Sequence, residues 1–431
     1  DYRMLADLVS FSRPGALHDI HTAFLEAGAH AVETNTFGAS PMRLGEYDLT
    51  QLDVAGWEGL PDDVDLRALS PEDFAYVLSK QGAQVARHAC DAYARTAHCD
   101  GRPLFVIGSM GPSNRVVSHS EANLRPATFE EIADNFHCQV CGLIDGGVDV
   151  LLYETQQDVL ELKAAVTGGR RAMAEKGVSL PIIAQVTVDQ HARMQIFNTD
   201  IHAALVTVAG IGIDVFGINC SIGPDLMTPT VEKLGRYSPL PISVIPNAGL
   251  PVSEAGKTVF RFPPEAFAEH MRRFISEHGV SVVGGCCGTT PEHIRRVVEA
   301  VRELTPKPRT PDSRLYVSGP QRAVLLDASE ELIRFGERLN VRGSKKVREA
   351  VENDTDIDHE TLDTVVREQV EGLGCPVIDV CMDSNQVNTV DTLKQVVHIQ
   401  TTDFGAAMCL DSFQVDALAE AVGAGAEHDD A

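Results

Sequence analysis

Long hydrophobic runs are absent from this sequence of 431 residues. No uninterrupted apolar segment approaches the roughly 18 residues that a membrane-spanning helix needs, which excludes a transmembrane protein. The composition, with 44% hydrophobic and 23% charged residues, is that of an ordinary folded chain and excludes a disordered one. At roughly 100–200 residues per domain, we expect about two globular domains.

Positive charge is also scarce. The chain has 36 lysine and arginine residues against 62 aspartate and glutamate residues, which gives a formal net charge of −26. Such an acidic chain repels nucleic-acid backbones and anionic membrane surfaces. We therefore expect neither nucleic acid nor a membrane as a partner.

Cysteine is infrequent, with ten residues in the whole chain. This is too few for a disulfide-stabilised scaffold, and a bridge between the adjacent Cys286 and Cys287 would be strained. The N-terminal segment DYRMLADLVSFSRP has no basic region followed by an apolar one, so no secretory signal is visible. The sequence therefore predicts a reducing, cytoplasmic location.

What the chain does contain is a recurring pattern in its first 300 or so residues. A helix-like segment, a glycine suited to a helix C-terminus and a short apolar run follow one another repeatedly. Strands alternating with helices indicate a parallel sheet, and this number of units favours a (β/α)8 TIM barrel over residues 1–304. The predicted strands lie near 28–33, 104–108, 148–153, 181–187, 213–219, 241–246 and 280–284.

Seven strands are one too few to close such a barrel. The missing one should precede residue 14, yet nothing in residues 1–13 resembles a strand. We therefore expect that the sequence lacks an N-terminal segment.

Residues 305–322 are rich in proline, serine and basic residues and are predicted to be a linker. A second α/β pattern follows in residues 323–431, with strands expected near 332–341, 376–383 and 406–412. Three strands do not close a barrel. This region is either a small open domain or the beginning of a larger one.

Three cysteines follow two of the predicted strands. Cys220 ends the segment FGINC, and Cys286 and Cys287 lie in GGCCG. Chemistry in barrel enzymes lies at the carboxyl ends of the strands, so the three thiols are expected at one rim. Glycines beside the pair permit the backbone angles that would turn both toward one point. Three thiolates select Zn²⁺ and leave a fourth position for a substrate.

Each candidate also has a plainer interpretation. Isolated cysteines are usually core residues, and the adjacent pair is what favours a metal site here. The segment HCQVC at 137–141 has CxxC spacing, but it lies in a predicted helix without a second ligand pair, which favours ordinary buried thiols. Glu33 and Glu154 follow other strands and could hold a substrate ammonium or pair with groups at the rim.

The segments FGINCSIGP, PNAGLP and VVGGCCGTTPEHI, with VETNTFGAS and LLYETQQD, resemble the zinc-dependent homocysteine S-methyltransferase family over about residues 14–304. The resemblance implies that the three cysteines hold Zn²⁺ and that the sulfur of homocysteine takes the fourth position. Three thiolates would leave the zinc site at a net charge of about −1, so a bound homocysteine stays a nucleophilic thiolate. The resemblance further implies that Glu154, Asn247 and Glu33 surround the substrate. The family's DGAMG-type first turn has no match here.

Further along, FGERLNVRGSKK, PVIDVCMD and AAMCLDSF resemble the start of the pterin-binding barrel that follows the homocysteine domain in cobalamin-dependent methionine synthases. This implies that Asn340, Asp383 and Asp411 line a folate pocket, while Cys381 stands where the family usually has asparagine. No D-x-H-x-x-G corrinoid motif occurs. Cobalamin would then come from a corrinoid-binding domain or protein outside this chain.

The leading hypothesis is methyl transfer to the zinc-activated thiolate of homocysteine, giving methionine. Methylcobalamin would be the immediate donor and methyltetrahydrofolate the ultimate donor. One alternative is a cobalamin-independent homocysteine S-methyltransferase using S-methylmethionine or betaine, which would have no use for residues 323–431. The other alternative, from a different class, is a non-catalytic zinc-binding partner module.

Overall fold

The computed structural model describes residues 5–61, 64–118, 125–254, 256–327, 332–352, 357–403 and 406–421. Its main feature is a sheet of seven parallel strands in which each strand pairs with the next one along the chain. The first six are Ala31–Glu33 (β1), Phe105–Met110 (β2), Val150–Gln156 (β3), Ile182–Val186 (β4), Val215–Asn219 (β5) and Ile242–Ile245 (β6). An antiparallel hairpin of Val252–Glu254 (β7) and Lys257–Val259 (β8) precedes the last sheet strand, Val282–Val283 (β9).

All seven predicted strands are present, and the prediction of a parallel α/β sheet is confirmed. Every residue of β4 and β6 is buried. Strands of a parallel sheet are buried on both faces, so their sequences are almost continuous apolar runs. This composition made them recognisable in the sequence.

Helices follow the strands. Several begin with proline in the first turn, and the helix Phe129–Gly146 begins with a capping box between Thr128 and Glu131. Glycines with positive φ end three of them, Gly147, Gly177 and Gly279. The helices are Val9–Ser12 (α1), Pro14–Glu26 (α2), Pro41–Leu44 (α3), Pro71–Ala94 (α4), Phe129–Gly146 (α5), Val159–Lys176 (α6), Ile201–Ala209 (α7), Pro224–Tyr237 (α8), Pro264–His278 (α9) and Pro291–Val301 (α10).

None of the helices in the described part of the chain is both long enough and apolar enough to cross a membrane.

The sheet is curled, so that α2, which precedes β1, contacts α10, which follows β9. A Cβ atom placed on Gly28, just after α2, would lie 2.9 Å from Cγ1 of Val298 on α10. Within the described residues β1 and β9 are the two unpaired edges. Residues 5–13 contain the 3-10 helix Ala6–Leu8 and α1 and no strand, as predicted. A complete eight-stranded barrel stays a prediction.

The predicted linker packs against helix α7. It contains the strand Tyr316–Ser318 (β10), which forms an antiparallel hairpin with Ala323–Leu325 (β11). The hydroxyl of Ser318 donates to the carbonyl of Ala203 on α7 at 3.1 Å. The Tyr316 ring lies 4.6 Å from the His202 ring on the same helix. The division into 1–304, 305–322 and 323–431 stays a prediction.

A second parallel sheet of three strands follows, with its own apolar core. All three predicted strands of this region are present. They are Phe335–Asn340 (β12), Val377–Cys381 (β13) and Ala407–Asp411 (β14), accompanied by Lys345–Val351 (α11), His359–Arg367 (α12), Thr389–Asp403 (α13) and Val415–Ala421 (α14).

Candidate metal and substrate site

Cys220 follows the last residue of β5 at a sharp turn. Its backbone N–H donates to the carbonyl of Ile245 on the neighbouring strand at 3.0 Å. Cys220 and Ser221 have φ angles of 60° and 66°, in the left-handed region that residues with a side chain rarely occupy. Such conformations persist only where surrounding contacts hold them, and they concentrate at functional sites.

Cys286 and Cys287 lie in the loop after β9. The Cys286 N–H donates to the carbonyl of Pro246 at 2.8 Å, and the Cys287 carbonyl accepts from the Ala248 N–H at 2.9 Å. Gly288 has a φ of 77°, and a Cβ atom there would lie 2.2 Å from Cγ of Phe260. The loop is therefore bonded to the residues that follow β6, which fixes the direction of both cysteines.

The three sulfur atoms converge. The Sγ atoms of Cys220 and Cys287 are 3.8 Å apart, those of Cys286 and Cys287 are 3.9 Å apart, and all three lie within 4.8 Å of one another. Tetrahedral Zn²⁺ with Zn–S bonds of about 2.3 Å separates its sulfur ligands by about 3.8 Å. This donor set fits Zn²⁺ in both spacing and chemistry.

The three thiols also share negative charge. Hydrogen bonds from Cys286 and Cys287 lower the pKa of the Cys220 thiol. The same bond to Cys220 raises the pKa of Cys286 and of Cys287. All ten cysteines of the chain are free thiols. One negative charge is therefore held on Cys220, and the other two thiols donate hydrogen bonds to it.

Asn247, which follows β6, touches two of the three cysteines. Its Oδ1 atom accepts from the Cys287 N–H at 3.1 Å. Its side chain also bonds to the Cys220 thiol, which lowers the pKa of that thiol further. The residue is buried. Asn247 thus holds the two sulfur-bearing segments together from one side.

Glu154 is a buried carboxylate near the end of β3. Its Oε1 atom accepts from the Ser109 hydroxyl at 2.5 Å, and its Oε2 atom accepts from Nδ2 of Asn219 at 2.9 Å. Burial raises the pKa of Glu154 to about 7, against the Ser109 hydrogen bond and with a further rise from the Cys220 charge. Among the described residues no lysine, arginine or histidine pairs with it. Such a group can accept the ammonium of a small ligand.

Asn219 was not predicted as a site residue, yet it organises this region. Its Oδ1 atom accepts from the Thr155 N–H at 2.7 Å, and its Nδ2 atom donates to the Thr155 hydroxyl at 2.8 Å. Thr155 has a φ of 59° at an irregularity between β3 and β4. Asn219 and Ser109 were visible only as polar residues at strand ends, a weak signal because such residues often bond only to local backbone.

Glu33 ends β1 and has Glu154 as its electrostatic neighbour. Burial among protein atoms, followed by the Glu154 charge, raises the pKa of Glu33 to about 8. The residue as a whole is nevertheless exposed to solvent. The structure therefore brings both predicted glutamates close enough to interact electrostatically.

The residues predicted for a folate pocket lie together at the carboxyl ends of the second sheet. Oδ1 of Asn340 accepts from the N–H groups of Arg342 and Gly343 at 3.0 and 2.9 Å. Asp383 is buried and accepts from the hydroxyl of Ser412 at 2.7 Å. Asp411 is exposed.

A cavity of about 510 Å³ opens beside Asp383 at this end of the sheet. Arg342 and Arg348 are among the residues that line it, together with Glu352. Cys381, at the end of β13, is buried. Since the Asn340 and Asp383 oxygens already bind within the protein, these two residues shape the loops around the cavity.

The first sheet and its site define a class of protein. This is an α/β protein with three convergent thiols, suited to a metal ion, at the carboxyl ends of parallel strands. The model of the homocysteine S-methyltransferase family matches residues 2–301. The chain therefore belongs to the homocysteine S-methyltransferase family, a family of methyltransferases.

Curated relatives extend the similarity over nearly the whole chain. It is 35% identical over 424 residues to the methionine synthase of Mycobacterium tuberculosis (strain ATCC 25618 / H37Rv), covering 98% of this chain and 32% of the relative. It is 34% identical over 429 residues to the methionine synthase of Mycobacterium leprae (strain TN), with the same coverage. The chain thus spans about a third of the length of these relatives.

Solved structures show the same fold for the first sheet. The homocysteine methyltransferase MmuM from Escherichia coli in its oxidized form has a TM-score of 0.52 at 20% identity, covering 69% of this chain and 88% of that one. Its metallated form has a TM-score of 0.51 at 20% identity, covering 68% and 87%.

Proposed function

We propose that this chain transfers a methyl group to the sulfur of homocysteine, which gives methionine. The observation that carries the proposal is the convergence of three thiols at one end of a parallel sheet, near a buried carboxylate that pairs with no cationic side chain of the described residues. Membership of the homocysteine S-methyltransferase family supports it.

In this proposal Cys220, Cys286 and Cys287 hold a Zn²⁺ ion and leave one position for the homocysteine sulfur. When bound, Zn²⁺ acts as a Lewis acid that keeps that sulfur deprotonated at neutral pH, while three anionic ligands preserve its nucleophilicity. The hydrogen bonds of Asn247 orient Cys220 and Cys287 around the ion.

The amino acid end of homocysteine has its own partners in the proposal. Glu154 accepts the ammonium group, and its position is held by Ser109 and Asn219. Glu33 adds a second carboxylate to the same region. Because Glu154 is anchored next to the segment that carries Cys220, ammonium binding and sulfur placement are coupled.

Methylcobalamin is the proposed immediate donor and methyltetrahydrofolate the ultimate donor. The corrinoid would be bound by a domain or protein outside this chain. The methionine synthase relatives match 98% of the chain, including the second sheet, which supports a pterin-binding role for that region. There, Asn340, Asp383 and Asp411 would border the folate pocket.

The proposal includes the architecture and the setting. Residues 1–304 would belong to a (β/α)8 TIM barrel, and residues 323–431 would begin a pterin-binding barrel. A reducing compartment such as the cytoplasm would keep the three thiols available for metal.

The test uses the full chain loaded with Zn²⁺ and supplied with homocysteine and one methyl donor at a time. We expect methionine to form from free methylcobalamin, and not from S-methylmethionine or betaine. Cys286→Ser should lose the zinc ion of this cluster and turnover together, whereas Cys99→Ser, outside the cluster, should keep both. Unchanged zinc and turnover in Cys286→Ser would refute the site, and turnover with S-methylmethionine alone would refute the donor.

A further inference from the structure

A second group of metal-ligand side chains lies outside the sheet, between α5 and α6. We propose that His137, Cys141 and Glu175 bind one divalent transition-metal ion of the Zn²⁺ type. This site is separate from the three-cysteine cluster, and its existence does not depend on the methyl-transfer proposal.

The geometry of the group suits a single ion. Nε2 of His137 lies 2.9 Å from Oε2 of Glu175 and 3.8 Å from Sγ of Cys141. The three ligand atoms lie within 4.8 Å of one another. With metal–ligand bonds of about 2.0–2.3 Å, tetrahedral coordination separates ligand atoms by about 3.3–3.8 Å. Small side-chain adjustments therefore bring all three atoms onto one ion.

The backbone presents these ligands from two rigid elements. His137 and Cys141 are four residues apart on α5 and so share one face of that helix. Glu175 lies in the last turn of α6. The helices approach closely at Gly168, where a Cβ atom would lie 2.0 Å from the carbonyl oxygen of Ala133. This contact sets the spacing across which the ion would bind.

The donor set and its surroundings determine the class of ion. One imidazole, one thiol and one carboxylate select Zn²⁺ and similar metals over Mg²⁺ or Ca²⁺, which prefer oxygen ligands. Cys141 is buried while Glu175 is exposed, so the group opens to solvent on one side, where water can complete the coordination. The nearby cation Lys176 is paired with Asp145 at 2.7 Å.

The nearby Cys138 provides a matched control. It lies on the same helix, three residues before Cys141, and does not belong to the ligand group. The CxxC spacing of these two cysteines is therefore not the metal signal. The signal is the spacing of His137 and Cys141 combined with a glutamate from the next helix, which the sequence alone does not place nearby.

The experiment measures the stoichiometry of Zn²⁺ on the full chain by equilibrium dialysis and elemental analysis. We expect two ions per wild-type chain and two in Cys138→Ser. We expect one in His137→Ala, Cys141→Ser and Glu175→Gln. Cys286→Ser should also fall to one, by loss of the other ion, so failure of either site is recognised separately.

Co²⁺ identifies the ligand directly. In a chain carrying Cys220→Ser, Cys286→Ser and Cys287→Ser, Co²⁺ should produce a thiolate charge-transfer band that Cys141→Ser abolishes and Cys138→Ser retains. A zinc stoichiometry that falls in neither His137→Ala nor Glu175→Gln, relative to the wild type, would overturn the proposal. These two variants change side chains that solvent reaches, so the test holds even if the Cys141 variant fails to fold.

Discussion

At the scale of single residues, the region around Glu154 combines backbone strain with a buried carboxyl group that pairs with no cationic side chain of the described residues. Thr155 holds a left-handed φ of 59°, and the Asn219 side chain bonds to both its N–H and its hydroxyl. The same asparagine donates to Glu154. Backbone strain of this kind costs of order 1–3 kcal/mol and is retained where it positions functional groups. Here it positions a buried carboxylate.

We predict that Glu154→Gln weakens homocysteine binding while zinc remains bound. A charged hydrogen bond contributes about 1.5–3 kcal/mol, so KM for homocysteine should rise roughly 10- to 100-fold. Steady-state kinetics with varied homocysteine, alongside zinc analysis, provides the measurement.

Glu161→Gln is the matched control for that variant. Glu161 is also a buried glutamate and accepts from a serine, Ser113, at 2.6 Å, but it lies on α6. Its replacement should leave KM for homocysteine unchanged. Equal KM values in the wild type and Glu154→Gln would remove Glu154 from the substrate site.

At the scale of elements, the loop after β9 shows how glycine positions reactive side chains. The GGCCG pattern predicts an unusual backbone, and Gly288 does have a φ of 77°. What the pattern does not reveal is the contact with Phe260, whose Cγ occupies the space that a side chain at 288 would need. Glycine is required at position 288 both for its positive φ, which is a local property, and for the close contact with Phe260, which is a tertiary one.

We predict that Gly288→Ala lowers zinc affinity without removing a ligand. The added methyl group must displace Phe260 or the loop, and the loop carries Cys287. Indirect disturbance of metal ligands typically lowers affinity about 10- to 100-fold, which competition with a zinc chelator will measure.

Gly177→Ala separates the backbone effect from the steric one. Gly177 ends α6 with a φ of 65° and has open space where a Cβ atom would lie. Both variants should lose about 1 kcal/mol of unfolding free energy because alanine is unfavourable in this conformation, and Gly288→Ala should lose more because of its clash with Phe260. Only Gly288→Ala should lose zinc affinity, and an equal loss in both would show that the Phe260 contact is irrelevant.

At the scale of the whole molecule, buried carboxylates make stability depend on pH. Burial, with a smaller contribution from the Asp158 charge, raises the pKa of Glu161 from 4.5 to about 7, although hydrogen bonds from Ser113 oppose the rise. Between these two pH values the folded chain retains a proton that the unfolded chain has released. The free energy of unfolding therefore falls as pH rises through this range.

We predict that Glu161→Gln removes this part of the pH dependence. The wild type should lose up to about 3 kcal/mol relative to the variant between pH 4.5 and pH 7, with no further relative loss above pH 7. Urea unfolding of both proteins at several pH values measures the difference. A difference that stays constant, or that favours the wild type as pH rises, would contradict the raised pKa.

The sequence alone determined where the strands lie and which three of the ten cysteines form the candidate metal site. Short apolar runs with glycine-ended helices predicted all seven strands of the first sheet and three of the second, because local burial and backbone preference are written in neighbouring residues. Cys220, Cys286 and Cys287 were predicted because parallel strands place their carboxyl ends at one edge.

Only the tertiary structure decided which distant groups touch. It joined Asn219 and Ser109 to Glu154, packed the segment around β10 against α7 and placed Glu175 beside His137. These contacts depend on helix spacing, strand register and side-chain direction, which arise from packing between segments far apart in the chain. A local sequence pattern does not determine such distances. The sequence therefore predicted that the three thiols lie at one edge of the sheet, and the structure identified the groups that surround Glu154 and His137.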